Sequence, residues 1–366
     1  MHTTLVLGGY GFFGARICTA LARDPTVHLL IGGRNGARAS VLARTLDLEP
    51  GRCISIDARD PELAAVLSRL KVDTVVHTAG PFQGQDYAVA RAAIAAGANY
   101  LDLADGRDFV AGIGTLDDLA RERNVLVTSG ASSLPALSSA VVDRYLGRFR
   151  RVDAIRVGIG SGARAPGLAT MRGVFSYCGK AFPRLEGGRW TRVHGWMNLA
   201  AHRFPRPVGR RLLGNCDVPD LVLFPVRYGG VQTVTFQAGF AGTAGHLVVW
   251  AASLLVRMGL IGSIVPLAPV LNPVSRWLEP VTSDRGAMFV TLEGIANGGE
   301  PLQLTWHLLA ARNHGPFIPC GASIALVRML AAGAQLPRGA LPCMGLVSVE
   351  QYLEALAGYE LTEVPA

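Results

Sequence analysis

Four glycines fall within seven positions in GGYGFFG (Gly8 to Gly14), between an apolar run and a helix-like segment. Glycine at that density weakens regular structure, so the clustering needs a local reason. Gly9, Gly11 and Gly14 fit the spacing G-x-G-x-x-G, which after a strand and at the head of a helix makes a phosphate cradle. The first glycine allows a tight turn and the second leaves room where a Cβ would block a pyrophosphate. The third lets the helix pack close to the strand. Amides freed around Tyr10, Phe12 and Phe13, with a helix dipole behind them, then favour a dianion without any basic side chain. The spacing predicts a dinucleotide site; the alternative is a glycine-rich turn that binds nothing.

The end of the second apolar run selects the dinucleotide. An acidic residue about 20 positions past the fingerprint would hold a ribose 2′-hydroxyl. In IGGRNGAR that place is taken by Arg34, with Asn35 and Arg38 beside it. A carboxylate there would repel a 2′-phosphate, whereas a guanidinium can bind it through forked, charge-assisted hydrogen bonds. NADP is therefore expected rather than NAD. Asp57, in SIDARD, is placed either to contact the adenine end or to cap a turn. Ligands of open α/β sheets lie beyond the carboxyl ends of the strands. That brings two more loops to the nicotinamide: TAGPFQG, with Ala79, Gly80, Pro81 and Phe82, and YLDLADGRDF, with Asp102 and Asp105.

Hydride transfer asks the protein for orientation and for one polar group to manage charge or a proton on the substrate. The candidates are Asp105, Arg172, Tyr177 and His314. Asp105 sits on a loop near the expected nicotinamide, or else caps the following helix. Asp102 reads either as a cofactor contact or as a carboxylate held by backbone amides. Arg172 and Tyr177 lie on an expected helix, ATMRGVFSYCG, that faces a cleft or simply packs at a domain interface. His314, in RNHGPF, occupies a Gly/Pro turn from which it could donate a proton. His77 falls in a buried-strand pattern and reads as a core histidine. No Tyr-x-x-x-Lys pair is found in the loops, which argues against the short-chain dehydrogenase mechanism.

These residues need a scaffold, and the first 130 positions supply one by alternation. Apolar runs TTLVLG, VHLLIG, CISID, DTVVHTAG, NYLDLAD and NVLVTSG are separated by helix-like stretches at 12–23, 37–45, 61–70, 86–96 and 116–123. Continuous rather than alternating apolar runs mark strands buried on both faces, hence a parallel sheet with right-handed crossovers. After Gly130 a helix is expected in LPALSSAVVDRYL. The strand-like segments RVDAIRVGIG, GRWTRV, DLVLFPV, VQTVTFQAGF, AMFVTLEGIA and LQLTWHLLAA follow, the last two flanking NGGEP as a hairpin. Helices close the chain near 320–334 and in SVEQYLEALAG. The expected architecture is α/β: a Rossmann-type doubly wound parallel sheet over 1–132, then an α+β domain with a mostly antiparallel sheet over 133–335. A carboxyl-terminal segment, 336–366, is expected to pack back on the first domain.

With 366 residues, half of them apolar and 17% charged, the chain can bury a large core and lacks the composition of disorder. Its net charge of +8 comes almost wholly from scattered arginines, since lysine occurs only at Lys71 and Lys180. Clusters RFRR and RFPRPVGRR read as solvated faces, with an anionic lipid or acyl-carrier partner as the alternative and no nucleic-acid partner expected. Six well-separated cysteines show neither CxxC nor Cys/His metal-ligand spacing and read as buried thiols in a reducing, cytoplasmic setting. No secretory leader is visible. HLVVWAASLLVRMGLIGSIVPLAPVL is strongly apolar, yet Arg257, Pro266 and Pro269 interrupt it well short of the roughly 20 residues a span needs. A buried helix or a lid over a greasy substrate is expected there, with shallow membrane contact as the alternative.

GGYGFFG, the following GRN, and AGPFQGQDYAVARAAIAAGANYLDLADG together resemble the saccharopine dehydrogenase-like (saccharopine reductase) family. SGASSLPALSSAVV and, more patchily, NHGPFIPCGASIALVRMLAAG and PRGALPCMGLVS are similar to later parts of its members. The resemblance implies an NADP-dependent oxidoreductase, often a homodimer. The sequence departs at Asp102-Leu103-Ala104-Asp105-Gly106, where relatives often read Asp-Leu-Thr-Gly-Glu, and this argues against saccharopine itself as substrate. The reading that follows is NADPH-dependent reduction of a C=N or C=C bond in a fairly apolar small molecule; the alternative is a non-catalytic NADP sensor.

Overall fold

The computed structural model describes every residue except 163–166, 278, 280 and 281. The chain divides into two compact units. One is Met1–Leu137 with Phe317–Ala357, the other Ser138–Pro316 with Gly358–Ala366. These bounds differ from those read from the sequence, because the helix Gly321–Ala331 belongs to the first unit and the last nine residues to the second.

The first unit's strands are β1 (His2–Leu7), β2 (Val27–Gly33), β3 (Cys53–Ser55), β4 (Thr74–His77), β5 (Asn99–Asp102), β6 (Leu126–Ser129) and, far along the chain, β15 (Gly339–Pro342). They form one wholly parallel sheet in the order β15-β6-β5-β4-β1-β2-β3. Leu5, Leu7, Leu30, Val75, Tyr100 and Val127 meet Leu67, Ala93 and Leu116 from the crossover segments in a single core. The strands are short and apolar because both faces are covered. The seventh strand, GALP, has no such signature. It forms where Ala340 donates its amide to Asp117 Oδ1 at 2.8 Å beside β6, and Pro342 is tolerated because the strand lies at the edge. The helix Gly321–Ala331 lies against the helix Gly14–Leu21, where the Arg328 guanidinium donates to Ala20 O and pairs with Asp24 at 3.4 Å.

The second unit holds β7 (Phe149–Gly160), β8 (Ala181–Glu186), β9 (Arg189–His194), β10 (Ala200–Arg203), β11 (Arg210–Asn215), β12 (Thr233–Gly239), β13 (Gly286–Ala296), β14 (Pro301–Ala310) and β16 (Leu361–Val364). Its main sheet runs β10-β11-β12-β7-β13-β14-β16, antiparallel throughout except for β12 on β7. The hairpin around NGGEP is β13–β14. Two segments depart from expectation, DLVLFPV and the start of the helix before β7, while RFPRPVGRR keeps Arg203, Arg206 and Arg210 exposed. DLVLFPV is the helix Asp220–Arg227, whose Leu221 and Phe224, one turn apart, are fully buried while Asp220 Oδ2 accepts the Ser138 hydroxyl at 2.6 Å. RFPRPVGRR is the turn and flanks of the β10–β11 hairpin. The helix before β7 begins only at Ser138, because Leu134 is extended (φ −129°, ψ 126°) and breaks the expected start.

The apolar stretch beyond His246 is not a buried helix either: the helix Thr243–Arg257 carries Leu247, Val248 and Leu255 on its exposed side. No described helix is long and apolar enough to cross a membrane. None of the six cysteines forms a disulfide, and five of them are buried.

Candidate nucleotide-binding site

The strand order reverses direction between β1 and β4, and at such a switch point the loops leaving the carboxyl ends form a crevice. Thr78 ties the two loops together, its hydroxyl and its amide both donating to Leu7 O at 2.9 Å. Gly8 leaves β1 at φ +83°, a conformation cheap only for glycine, and Gly11 donates its amide back to Gly8 O at 2.8 Å. A Cβ on Gly14 would lie 2.3 Å from Gly8 O, and one on Gly9 would lie 2.9 Å from both Val6 O and Ile31 Cγ2. Those two glycines are packing requirements. A Cβ on Gly11 would meet only Gly8 O, at 2.9 Å, and otherwise face open space. Among the described residues, the amides of Tyr10, Phe12 and Phe13 have no acceptor. An open cradle with unpaired amides at the head of a helix fits a pyrophosphate.

The end of β2 is shaped around Tyr10. A Cβ on Gly33 would sit 2.5 Å from the Tyr10 ring, so the bare backbone is what lets the ring settle there. Tyr10 Oη accepts the Asn35 amide at 2.9 Å, and Asn35 Oδ1 caps the next helix by accepting the Arg38 amide at 3.0 Å. The Arg38 guanidinium lies 5.0 Å from the Tyr10 ring centre. Arg34 is exposed and makes no hydrogen bond or ion pair among the described residues. Two guanidiniums thus border the aromatic floor, with no carboxylate on this turn. Asp57 Oδ1 accepts the Arg59 amide at 3.1 Å, and the side chain stays half-buried.

In the second loop, Gln85 Nε2 donates to Ala79 O at 3.0 Å and Pro81 O at 2.6 Å, fixing the half-exposed backbone of Ala79, Gly80 and Pro81. Phe82 does not join that surface. Its ring packs inward on His77 at 5.1 Å and Phe109 at 5.3 Å. His77 is a core residue, its Nδ1 3.0 Å from Tyr100 Oη, and burial pulls its pKa down to about 4. Asp102 is fully buried, and its Oδ1 accepts from Ala104 N (2.9 Å), Gly130 N (2.8 Å) and Ser129 Oγ (2.9 Å). That carboxylate ties β5 to the chain after β6 and is not a cofactor contact; burial raises its pKa to about 6. Asp105 is only partly buried and accepts one side-chain hydrogen bond, from Gln83 Nε2 at 3.0 Å; desolvation raises its pKa.

The family described as Saccharopine dehydrogenase NADP binding domain matches residues 4–141. The nucleotide domain belongs to that family. Every residue of the cradle, the β2 turn and the second loop lies inside the match, so the saccharopine dehydrogenase NADP-binding domain accounts for the whole site just described, and its cofactor is NADP. The fold is shared by apo saccharopine dehydrogenase (L-Glu forming) from Saccharomyces cerevisiae, with 14% identity, a TM-score of 0.69 and coverage of 100% of both chains. An amine dehydrogenase from Mycobacterium smegmatis is similar at 13% identity and a TM-score of 0.50, covering 96% of this chain and 95% of that one. No curated protein matches in sequence. Domain family and fold place the chain among the NAD(P)-dependent oxidoreductases.

Three of the four catalytic candidates lie beyond the NADP-binding domain, in the second unit. Arg172 is exposed on the helix Leu168–Tyr177. Tyr177 ends that helix with its ring edge-on to Phe182 at 6.5 Å. His314 is committed to structure, because its Nδ1 accepts the Glu360 amide at 2.8 Å and its ring packs on Tyr359 at 5.3 Å. The sequence reading missed Gly8, Thr78, Gln83 and Gln85, all of which shape the site. Paired glycines at a strand end signal the first, and two glutamines around Gly84 in PFQGQ signal the loop that needs pinning.

Proposed function

We propose that the protein is an NADPH-dependent reductase of a C=N or C=C bond, with Asp105 as the proton donor. The observation that carries the reading is the β2 turn, where an exposed, unpaired Arg34 replaces the acidic residue that a 2′-hydroxyl would need. The amides of Tyr10, Phe12 and Phe13 hold the pyrophosphate, and Arg34 with Arg38 binds the 2′-phosphate. Bound NADPH supplies the hydride. Desolvation raises the Asp105 pKa, so its carboxyl holds a proton to higher pH than an exposed one, and Gln83 orients it by donating to Oδ1. It delivers that proton to the nitrogen or carbon left anionic by hydride addition and regains one from solvent. Thr78 and Gln85 keep the loops rigid around the reacting groups.

Calorimetric titration of the full chain with NADPH and NADH, for wild type and Arg34→Glu, tests the cofactor reading. Losing a charge-assisted contact worth about 1.5–3 kcal/mol should weaken NADPH at least ten- to a hundredfold, while NADH is held as well or better because the new carboxylate can take its 2′-hydroxyl. Equal losses for both cofactors would refute it. Loss of NADPH absorbance against imine and enoyl panels tests the chemistry, and tight binding with no turnover on any panel would mark a sensor instead.

A further inference from the structure

Two helices of the second unit bury polar side chains and expose large apolar ones. Thr243–Arg257 turns His246, Val249 and Ser253 inward, where the His246 ring packs 4.9 Å from Trp196 and the Ser253 hydroxyl donates to Val249 O at 2.7 Å. Its outer side carries Leu247, Val248, Ala251 and Leu255, and Met258 and Leu260 continue that side past the helix end. Ala268–Trp277 repeats the pattern. Ala268 and Asn272 are buried, while Val270, Val274 and Trp277, spaced i, i+4, i+7, face out. Val248 is 62% exposed, Leu260 67%, Val270 66% and Trp277 80%. Single exposed apolar residues are ordinary, but two successive helices that bury polar groups and display valine, leucine and tryptophan mark a face made to meet something.

The charge on this stretch identifies what it meets. From Thr243 to Trp277 there is no Asp or Glu, and the only charged side chains, Arg257 and Arg276, are exposed in the last turns of the two helices. A second copy of the same face would offer those guanidiniums no anion. Lipid headgroups offer a continuous layer of them, and tryptophan favours the same interfacial depth. The first helix has 15 residues, well short of the roughly 20 that a span requires. It can lie in the interface but cannot cross it.

We propose that these helices seat the protein on an anionic membrane surface, with Val248, Leu255, Val270, Val274 and Trp277 entering the headgroup layer and Arg257 and Arg276 meeting lipid phosphates. Flotation of the full chain with vesicles of phosphatidylcholine alone, or mixed equally with phosphatidylglycerol, tests this. The chain should float with the mixed vesicles and far less with the neutral ones. R257Q/R276Q should weaken partitioning roughly thirtyfold at low salt, at about fivefold per basic residue near the surface. V248D/V274D should abolish flotation while melting like wild type, since both positions are exposed. Trp277 provides a second readout: vesicles should blue-shift the emission of wild type but not of Trp277→Phe. Failure to float, or flotation undiminished in V248D/V274D, overturns the proposal. So does a wild-type dimer that V248D/V274D converts to monomer, since the face would then belong to a second copy. None of these readouts depends on cofactor binding or turnover.

Discussion

Replacing Gly14 by alanine tests the packing argument at its tightest point. The new methyl would lie 2.3 Å from Gly8 O, 2.7 Å from Thr78 Oγ1 and 2.8 Å from Gly9 Cα. Two of these are backbone atoms, and the Thr78 hydroxyl is already bonded to Leu7 O, so nothing nearby can swing aside. Overpacking of this kind costs about 1–3 kcal/mol, and a rigid surround puts the cost near the upper end. Alanine's better helix propensity returns up to ~1 kcal/mol at this first helical position. The net loss of about 2 kcal/mol should lower Tm by roughly 4–8 °C for a unit of this size. Gly11→Ala is the contrast. Its methyl meets one close atom, Gly8 O at 2.9 Å, and otherwise enters the open cradle. Stability should fall by less than about 1 kcal/mol, while NADPH affinity falls at least tenfold. Scanning calorimetry and NADPH titration on both variants read the two quantities separately. If Gly14→Ala melts like wild type, or Gly11→Ala binds NADPH normally, the roles given to these glycines are wrong.

Burial raises the Asp220 pKa from 3.8 to about 7, so across that interval the folded state holds a proton that the unfolded chain has released. Its contribution is fully present below about pH 4 and is lost as pH rises through 7, amounting to at most about 4 kcal/mol. Asp220→Asn should therefore flatten that fall, and urea titrations from pH 4 to 8 in which the two proteins run parallel would exclude it. His314→Ala should cost about 1 kcal/mol by freeing the Glu360 amide. Turnover should stay unchanged, and a large rate loss at normal stability would restore His314 as a catalytic group. Asp105→Asn should leave NADPH affinity within about twofold and suppress turnover. Wild-type rates should fall as pH rises past the folded pKa of Asp105, and an unaltered rate in the variant would remove Asp105 from the chemistry.

How far the sequence could be read depends on how far along the chain each constraint reaches. The cradle is local: a strand, four glycines and a helix specify one another within a few residues, and parallel strands buried on both faces announce themselves as continuous apolar runs. DLVLFPV is different: its strand-like composition folds as a helix that buries Leu221 and Phe224 and bonds Asp220 to Ser138, 82 positions away, a contact that no local pattern announces. RFPRPVGRR reads as solvated charge, and Arg203, Arg206 and Arg210 are exposed, but the hairpin that displays them, with His202 opposite Arg211 and Arg203 opposite Arg210, leaves no mark in the composition. The carboxylates near the nicotinamide loops show the same limit inside the site. Position alone places Asp102 and Asp105 alike around the carboxyl end of one strand. Three donors, one from Gly130 in another loop, converge on Asp102 Oδ1 and bind the fully buried carboxyl into an anchor, away from any surface a cofactor could reach. Asp105 keeps one side-chain donor and part of its surface, so a proton held there can still leave. Residue type brings a carboxyl to the site, but the number of donors folded around it decides whether it acts as an anchor or an acid.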